Sequence, residues 1–193
     1  MLSSLSRWFR STAPPCAPLT ETARLLLREM EYADWAAIHG YRSDPEVTRY
    51  LGNPSPDTEW DTRGVVRSCL RRRLEQPRRF YGLVIVRRTD GEVIGDCELS
   101  LDHADEALLG FVLRRDTWGQ GYATETARAV LELAFTRLGR TRVRAGCHPE
   151  NAGSRRVLEK IGMQPDGVAE RFPGAPAGIP VPVFAITREQ WEG

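Results

Sequence analysis

The chain has 193 residues, 41% of them hydrophobic, which suits one ordinary domain with a real core and excludes a disordered chain. Its 27 basic and 26 acidic residues leave a net charge of +1, so bulk charge supports neither a nucleic-acid nor a membrane-surface partner. Cys16, Cys69, Cys97 and Cys147 are scattered and, with His39, His103 and His148, give no metal-ligand spacing. A reducing cytoplasmic setting and no metal are therefore expected. No apolar run is long enough to cross a bilayer.

In chain order, residues 1–18 read as a separate tail and 19–193 as a single domain. The tail has no acidic residue, carries Arg7 and Arg10, and sets Leu2, Leu5, Trp8 and Phe9 at helical spacing. That pattern fits a transit peptide or amphipathic anchor, or a mobile end closed by Pro14, Pro15 and Pro18. Ala23 to Met30 predicts a first strand. Asp34 reads as the N-cap of a short helix carrying Trp35, Ile38 and Tyr41. Residues 58–76 show helical spacing, with Trp60, Val65, Val66, Cys69, Leu70 and Leu74 apolar and Arg63, Arg67 and Arg71 to Arg73 on a solvated face. Strands follow over 80–86, 92–101 and 107–113, the first two joined by the tight turn at Thr89 to Gly91. Gly95 and Gly110 interrupt them, which predicts a bulge or a close backbone approach. A helix over 121–138 ends at Gly139, a strand runs over 142–147, and a second helix starts at an Asn151 N-cap and stops before Gly162. A last strand covers 181–186. The fold class is α+β, with a mixed and mostly antiparallel sheet.

Two glycines, Gly119 and Gly121, stand directly before the strongly amphipathic helix over 121–138. Helix starts leave backbone N–H groups unpaired and partly positive, and glycine lets them converge on an anion. A phosphate or pyrophosphate is the expected guest. Tyr122 and Ala123 after Gly121 exclude a Walker loop. Thr124 stands where a dinucleotide fingerprint needs its third small residue. A glycine turn with no ligand stays open on these residues alone. So does a domain that binds another nucleotide.

The stretch from Gly110 to Phe135, "GFVLRRDTWGQGYATETARAVLELAF", and that from Arg142 to Met163, "RVRAGCHPENAGSRRVLEKIGM", together resemble the GNAT superfamily of acyl-CoA-dependent N-acetyltransferases. The most similar branch includes ribosomal-protein N-terminal acetyltransferases, whose opening strand also matches "TARLLLREM". The resemblance covers about Leu19 to Trp191. It implies a GNAT-like fold, with helices on both faces of the central sheet. It also implies acetyl-CoA as co-substrate, and an amine acceptor that is a protein N-terminus or a small molecule. A non-catalytic acyl-CoA sensor is the alternative. The protein would be a monomer or homodimer.

Carried onto this chain, the resemblance places the pyrophosphate on Trp118, Gly119, Gln120, Gly121, Tyr122, Ala123 and Thr124. The pantetheine arm would lie along Phe111, Val112 and Leu113. Asn151 would bond the arm, and Ser154 would stand near the sulfur as the acid. Asp116 takes the place of a family Arg or Gln, with Arg114 or Arg115 as compensation. Leu158 takes the place of a family tyrosine acid and Leu108 that of a family glutamate base. Glu98 is then the first choice of base, with Asp96, His103 and Glu106 nearby and a water chain as another route. Tyr41, Tyr50, Trp60 and Tyr81, together with the loop over 171–184, would frame the acceptor. Cys147 and His148, adjacent on a strand, face opposite ways and make no nucleophile–base dyad.

Overall fold

In the computed structural model, which describes residues 17–52, 57–101, 105–173 and 177–193, the strand signals resolve into one eight-stranded sheet. Its strands are β1 (Pro18–Glu21), β2 (Leu25–Glu29), β3 (Phe80–Arg87), β4 (Val93–Ser100), β5 (Glu106–Leu113), β6 (Arg142–Gly146), β7 (Gln164–Ala169) and β8 (Val181–Thr187). They lie in the order β1-β2-β3-β4-β5-β6-β8-β7. Every neighbouring pair is antiparallel except β5 and β6. The helices are α1 (Trp35–Arg42), α2 (Pro45–Thr48), α3 (Glu59–Arg73), α4 (Tyr122–Glu132), α5 (Ala152–Lys160) and α6 (Arg188–Glu192). The α+β class and the mixed, mostly antiparallel sheet are those expected.

Alternation along the strands gives the sheet two apolar faces. On one, Leu27, Leu83, Ile85 and Leu99 meet Ala127, Val130 and Leu131 of α4 and Leu158 of α5. On the other, Val84 and Val86 meet Ile38 and Tyr41 of α1 and Val66 of α3. Each large apolar side chain so buried contributes about 2 kcal/mol. Helices therefore cover both faces. The second face also holds charge: buried Asp96 accepts from the Tyr41 hydroxyl at 2.7 Å and pairs with Arg42 at 3.0 Å. Burial, then the Asp96 carboxylate, pushes the Tyr41 phenol well above its ordinary range, so it stays a donor.

Several expectations need correction. The Asp34 side chain caps nothing on α1. It takes Arg28 in a two-pronged pair at 2.7 and 2.8 Å and accepts from the Glu31 N–H, closing a 3-10 turn over Tyr32–Asp34. The helix over 121–138 is α4 followed by a π turn, Leu133–Arg137. Only Thr62 and Val66 of α3 are buried, while Trp60 and Leu74 are exposed. Arginine stems and aromatic rings cover one another there instead, with Arg63 over Trp35 at 4.0 Å. β1, α2, β7 and α6 were not expected. β7 carries a proline and a glycine, has an irregular register and forms one edge of the sheet, where neither residue breaks a central ladder. Residues 1–16 of the tail and His103 lie outside the described residues, and Pro18 already opens β1.

Gly95 combines both features expected of a strand glycine. It stands beside a register shift between β3 and β4, and a Cβ there would lie 2.4 Å from the Val112 carbonyl oxygen. Gly64 on α3 has no neighbour within 4 Å of such a Cβ. Gly95→Ala should therefore destabilise by about 2 kcal/mol. Gly64→Ala should stabilise by up to ~1 kcal/mol, because only helix propensity changes. Urea unfolding of the two variants checks the opposite signs.

Candidate active site

The parallel β5–β6 pair forms only over Glu106↔Arg142, Ala107↔Val143 and Leu108↔Arg144. Beyond Leu108 the two strands have no shared ladder. Strand geometry says which groups this leaves open. The Arg114 N–H donates to the Ile94 carbonyl of β4 at 2.8 Å, while the Asp105 carbonyl accepts from the Thr141 N–H just before β6 at 2.9 Å. Backbone groups alternate along a strand, so Val112 and Gly110 face β4 and Phe111 and Leu113 face the gap. The Leu113 carbonyl is taken by the Trp118 indole N–H at 2.9 Å. The Phe111 N–H and carbonyl and the Leu113 N–H have no partner among the described residues. Val112 turns its side chain into the α1–α3 core.

The gap opens toward the start of α4. Gly119 and Gly121 both take left-handed backbone, with φ of 75° and 82°, and Gly121 is the N-cap. No side chain caps α4. The N–H groups of Gly121, Tyr122, Ala123 and Thr124 find no acceptor among the described residues. Buried helix ends without partners are rare; this one is exposed and offers four donors and a partial positive charge to an anion. The side chains of Trp118 and Gln120 do not point donors at a guest. They tie the loop to itself, Gln120 through its amide to the Asp116 carbonyl at 2.8 Å.

The acids around this loop are neutralised. Arg114 donates to Asp116 at 2.7 Å, and that bond holds the Asp116 carboxyl below its ordinary range. Arg114 is thus the compensating cation, whereas Arg115 lies 3.9 Å from Asp44. Glu125, in the first turn of α4, is met by Arg24 and Thr22 of the β1–β2 hairpin. Burial works against its charge, but hydrogen bonds from Thr22 and Arg24 prevail and lower its pKa. Two open depressions flank the loop. One, about 630 Å³, lies between Thr22, Arg24, Gly121, Thr124, Arg128 and Lys160. The other, about 550 Å³, lies between Gly40, Asp44, Arg114 and Asp116.

Past the gap, Asn151 caps α5 by accepting from the Ser154 N–H at 3.0 Å. Ser154 therefore stands in the first turn of the helix that follows β6. Leu158, fully buried, is part of the core and supplies no acid. On the sheet face of α1 and α3, Glu98 is exposed and lies over Gly110; a Cβ at Gly110 would be 3.2 Å from its Oε1. Two further carboxylates lie near it. Asp96 holds Tyr41 and Arg42, and Glu106 pairs with Arg142 at 3.5 Å. Gly146 of β6 is covered by the Phe172 ring, which a Cβ would meet at 2.7 Å. Tyr50 and His148 stack with ring centroids 4.9 Å apart.

Of the four aromatic residues expected around an acceptor, Tyr50 lies against His148. Tyr41 is buried under α1, and Trp60 is exposed on α3 beside Arg67. Tyr81 belongs to the opposite, α4 side of the sheet. In the sequence His148 reads only as unfit for a dyad with Cys147, Phe172 only as part of the loop over 171–184, and Arg24 and Thr22 carry no assigned role. The pairing of "TAR" with the "TE" of α4 was the signal for the last two. Among the described residues no cluster of three or more His, Cys, Asp or Glu could hold a metal, and no helix is long and apolar enough to cross a membrane.

The family model for the acetyltransferase (GNAT) domain matches residues 24–164. The chain is 34% identical over 177 residues to p20, an uncharacterized N-acetyltransferase of Bacillus licheniformis, covering 89% of this chain and 97% of that protein. Its fold matches a GNAT-family acetyltransferase from Bacillus anthracis with a TM-score of 0.75 at 29% identity, covering 88% and 98% of the two chains. It also matches Mycobacterium smegmatis RimJ, solved with CoA-disulfide, with a TM-score of 0.74 at 27% identity, covering 94% and 88%. With the family model spanning the glycine loop, the parted strands and the Asn151 helix, the chain belongs to the GNAT family and is an N-acetyltransferase.

Proposed function

We propose that this enzyme moves an acetyl group from acetyl-CoA directly to a primary amine, a protein N-terminus or a small-molecule amine, within one ternary complex. The observation that carries the reading is the run of unpartnered backbone groups from Phe111 and Leu113 to the start of α4. An extended amide chain ending in a pyrophosphate has the matching chemistry: amides for the strand edge, an anion for the helix start. Gly121, Tyr122, Ala123 and Thr124 would donate to the pyrophosphate, with Trp118, Gly119 and Gln120 shaping the loop. Phe111 and Leu113 would pair with the pantetheine arm, and Val112 would hold the strand in place from the core. The bound thioester supplies an activated acetyl group.

The residues of this chain then have three tasks. A strand N–H facing the gap stabilises the oxygen that gains charge as the amine attacks. Glu98, on the acceptor face over Gly110, takes the proton that an ammonium with a pKa of ~10 must lose. Ser154 returns a proton to the leaving thiolate, held by the α5 turn that Asn151 caps. Phe172 and the Tyr50–His148 pair form apolar walls for the acceptor. Direct transfer is favoured because no thiol among the described residues is a ready nucleophile. Burial first, then the Asp96 and Glu98 carboxylates, pushes the Cys69 thiol up to about 12, and burial raises Cys97 and Cys147 as well.

Initial velocities with acetyl-CoA varied against a responsive amine should give intersecting lines. Parallel lines would contradict direct transfer, and tight coenzyme A binding with no turnover on any amine would support a sensor instead. Gly121→Val forces a β-branched residue to a φ of 82° at an exposed position. It should abolish coenzyme A binding, read by calorimetry, with the thermal midpoint little changed. Glu98→Gln should lower kcat about 100-fold near neutral pH. That deficit should shrink as pH rises, because more of the amine is then already neutral; a pH-independent deficit would remove Glu98 from the role of base.

A further inference from the structure

The peptide between Gln120 and Gly121 lies at the centre of the glycine loop. A flip of this peptide turns ψ of Gln120 and φ of Gly121, and Gly121, at a φ of 82°, can take the mirror-image sign at little cost because it has no Cβ. One side chain holds it. Arg24, from the β1–β2 turn, donates from Nη1 to the Gln120 carbonyl at 3.1 Å. Its Nε and Nη2 meet the Glu125 carboxylate at 2.6 and 2.5 Å, and its guanidinium stacks on the Tyr122 ring at 4.4 Å. Thr22 completes the anchor. Its hydroxyl donates to Glu125, and the Leu25 N–H donates to it at 2.9 Å.

In a trans peptide the carbonyl and the following N–H point to opposite sides. Pinning the Gln120 carbonyl toward Arg24 therefore turns the Gly121 N–H away from Arg24. We propose that Arg24 is a positioning residue that locks the Gln120–Gly121 peptide in the orientation that binds the donor's pyrophosphate. This rests on the acyl-donor reading above. Glu125 is the post to which the lock is fastened; unlocked, the loop presents a carbonyl oxygen to the phosphate. The pair is only partly exposed, Arg24 at 46% and Glu125 at 18%, and such a pair contributes modestly to stability, so the lock acts mainly on the loop.

The test compares coenzyme A with pantetheine, which lacks the pyrophosphate, by titration against wild type, Arg24→Ala, Arg24→Lys and the double variant Arg24→Ala/Glu125→Gln. Arg24→Ala should bind coenzyme A about tenfold more weakly, the effect of losing a charge-assisted hydrogen bond, with pantetheine affinity unchanged and the thermal midpoint little changed. Arg24→Lys keeps the charge but not the fork and should remain weak. The double variant should remain weak too. Recovery in the double variant would mean that Arg24 only cancels the Glu125 charge, and would overturn the lock. Equal losses for both ligands, or no loss for coenzyme A, would also overturn it. Failure of the wild type to bind coenzyme A would instead overturn the acyl-donor reading, and the lock with it.

Discussion

The arrangement depends on one broken ladder. A parallel strand pair normally runs on until both strands end, because a buried backbone group without a partner is costly. Here β5 and β6 share three residue pairs and then part, while β5 continues for five more residues. The outer side of β5 stays tied to β4 through Leu113, so the strand remains straight although its inner edge is open. That edge has the donor and acceptor spacing of a sheet that expects one more strand. Everything around it serves to keep it open. β6 is held by β8 on its far side, Phe172 covers Gly146, and α4 and α5 pack below without filling the gap.

The second constraint is electrostatic. An uncapped helix start attracts anions, yet two carboxylates flank it, Asp116 in the 3-10 turn Arg115–Thr117 and Glu125 in the first turn of α4. Each is bound to its own arginine, one from within the loop and one from the opening hairpin. The loop therefore carries acidic residues for its shape without opposing a phosphate. On the α1–α3 face of the sheet Asp96 likewise pairs with Arg42, Glu106 pairs with Arg142, and Glu98 lies over Gly110 of β5.

Local signals made much of this legible in the sequence. The glycine pair, the amphipathic run after it and the Asn151 cap each have short-range causes, and the structure forms α4 and α5 where those signals lie. The strands over β3 to β6 were equally plain: β3 and β5 are nearly continuous apolar runs, β4 mixes apolar with polar residues and β6 alternates them. What could not be read depended on contacts between distant segments. Tyr41 and Trp60 look alike as apolar helix residues, but Asp96 holds one in the core while the other stays exposed beside Arg67. Tyr50 meeting His148, and Phe172 closing on Gly146, join loops that no periodicity connects. Asp34 has the composition of a cap, yet a two-pronged arginine outcompeted the helix start for its carboxylate.

The most direct test of the central claim is amide hydrogen exchange, residue by residue, with and without coenzyme A. The account predicts new protection at Phe111 and Leu113 and at Gly121, Tyr122, Ala123 and Thr124, with the β4-facing amide of Val112 unchanged. Binding that left those amides exchanging as before, or that protected the depression around Gly40 and Asp44 instead, would contradict it.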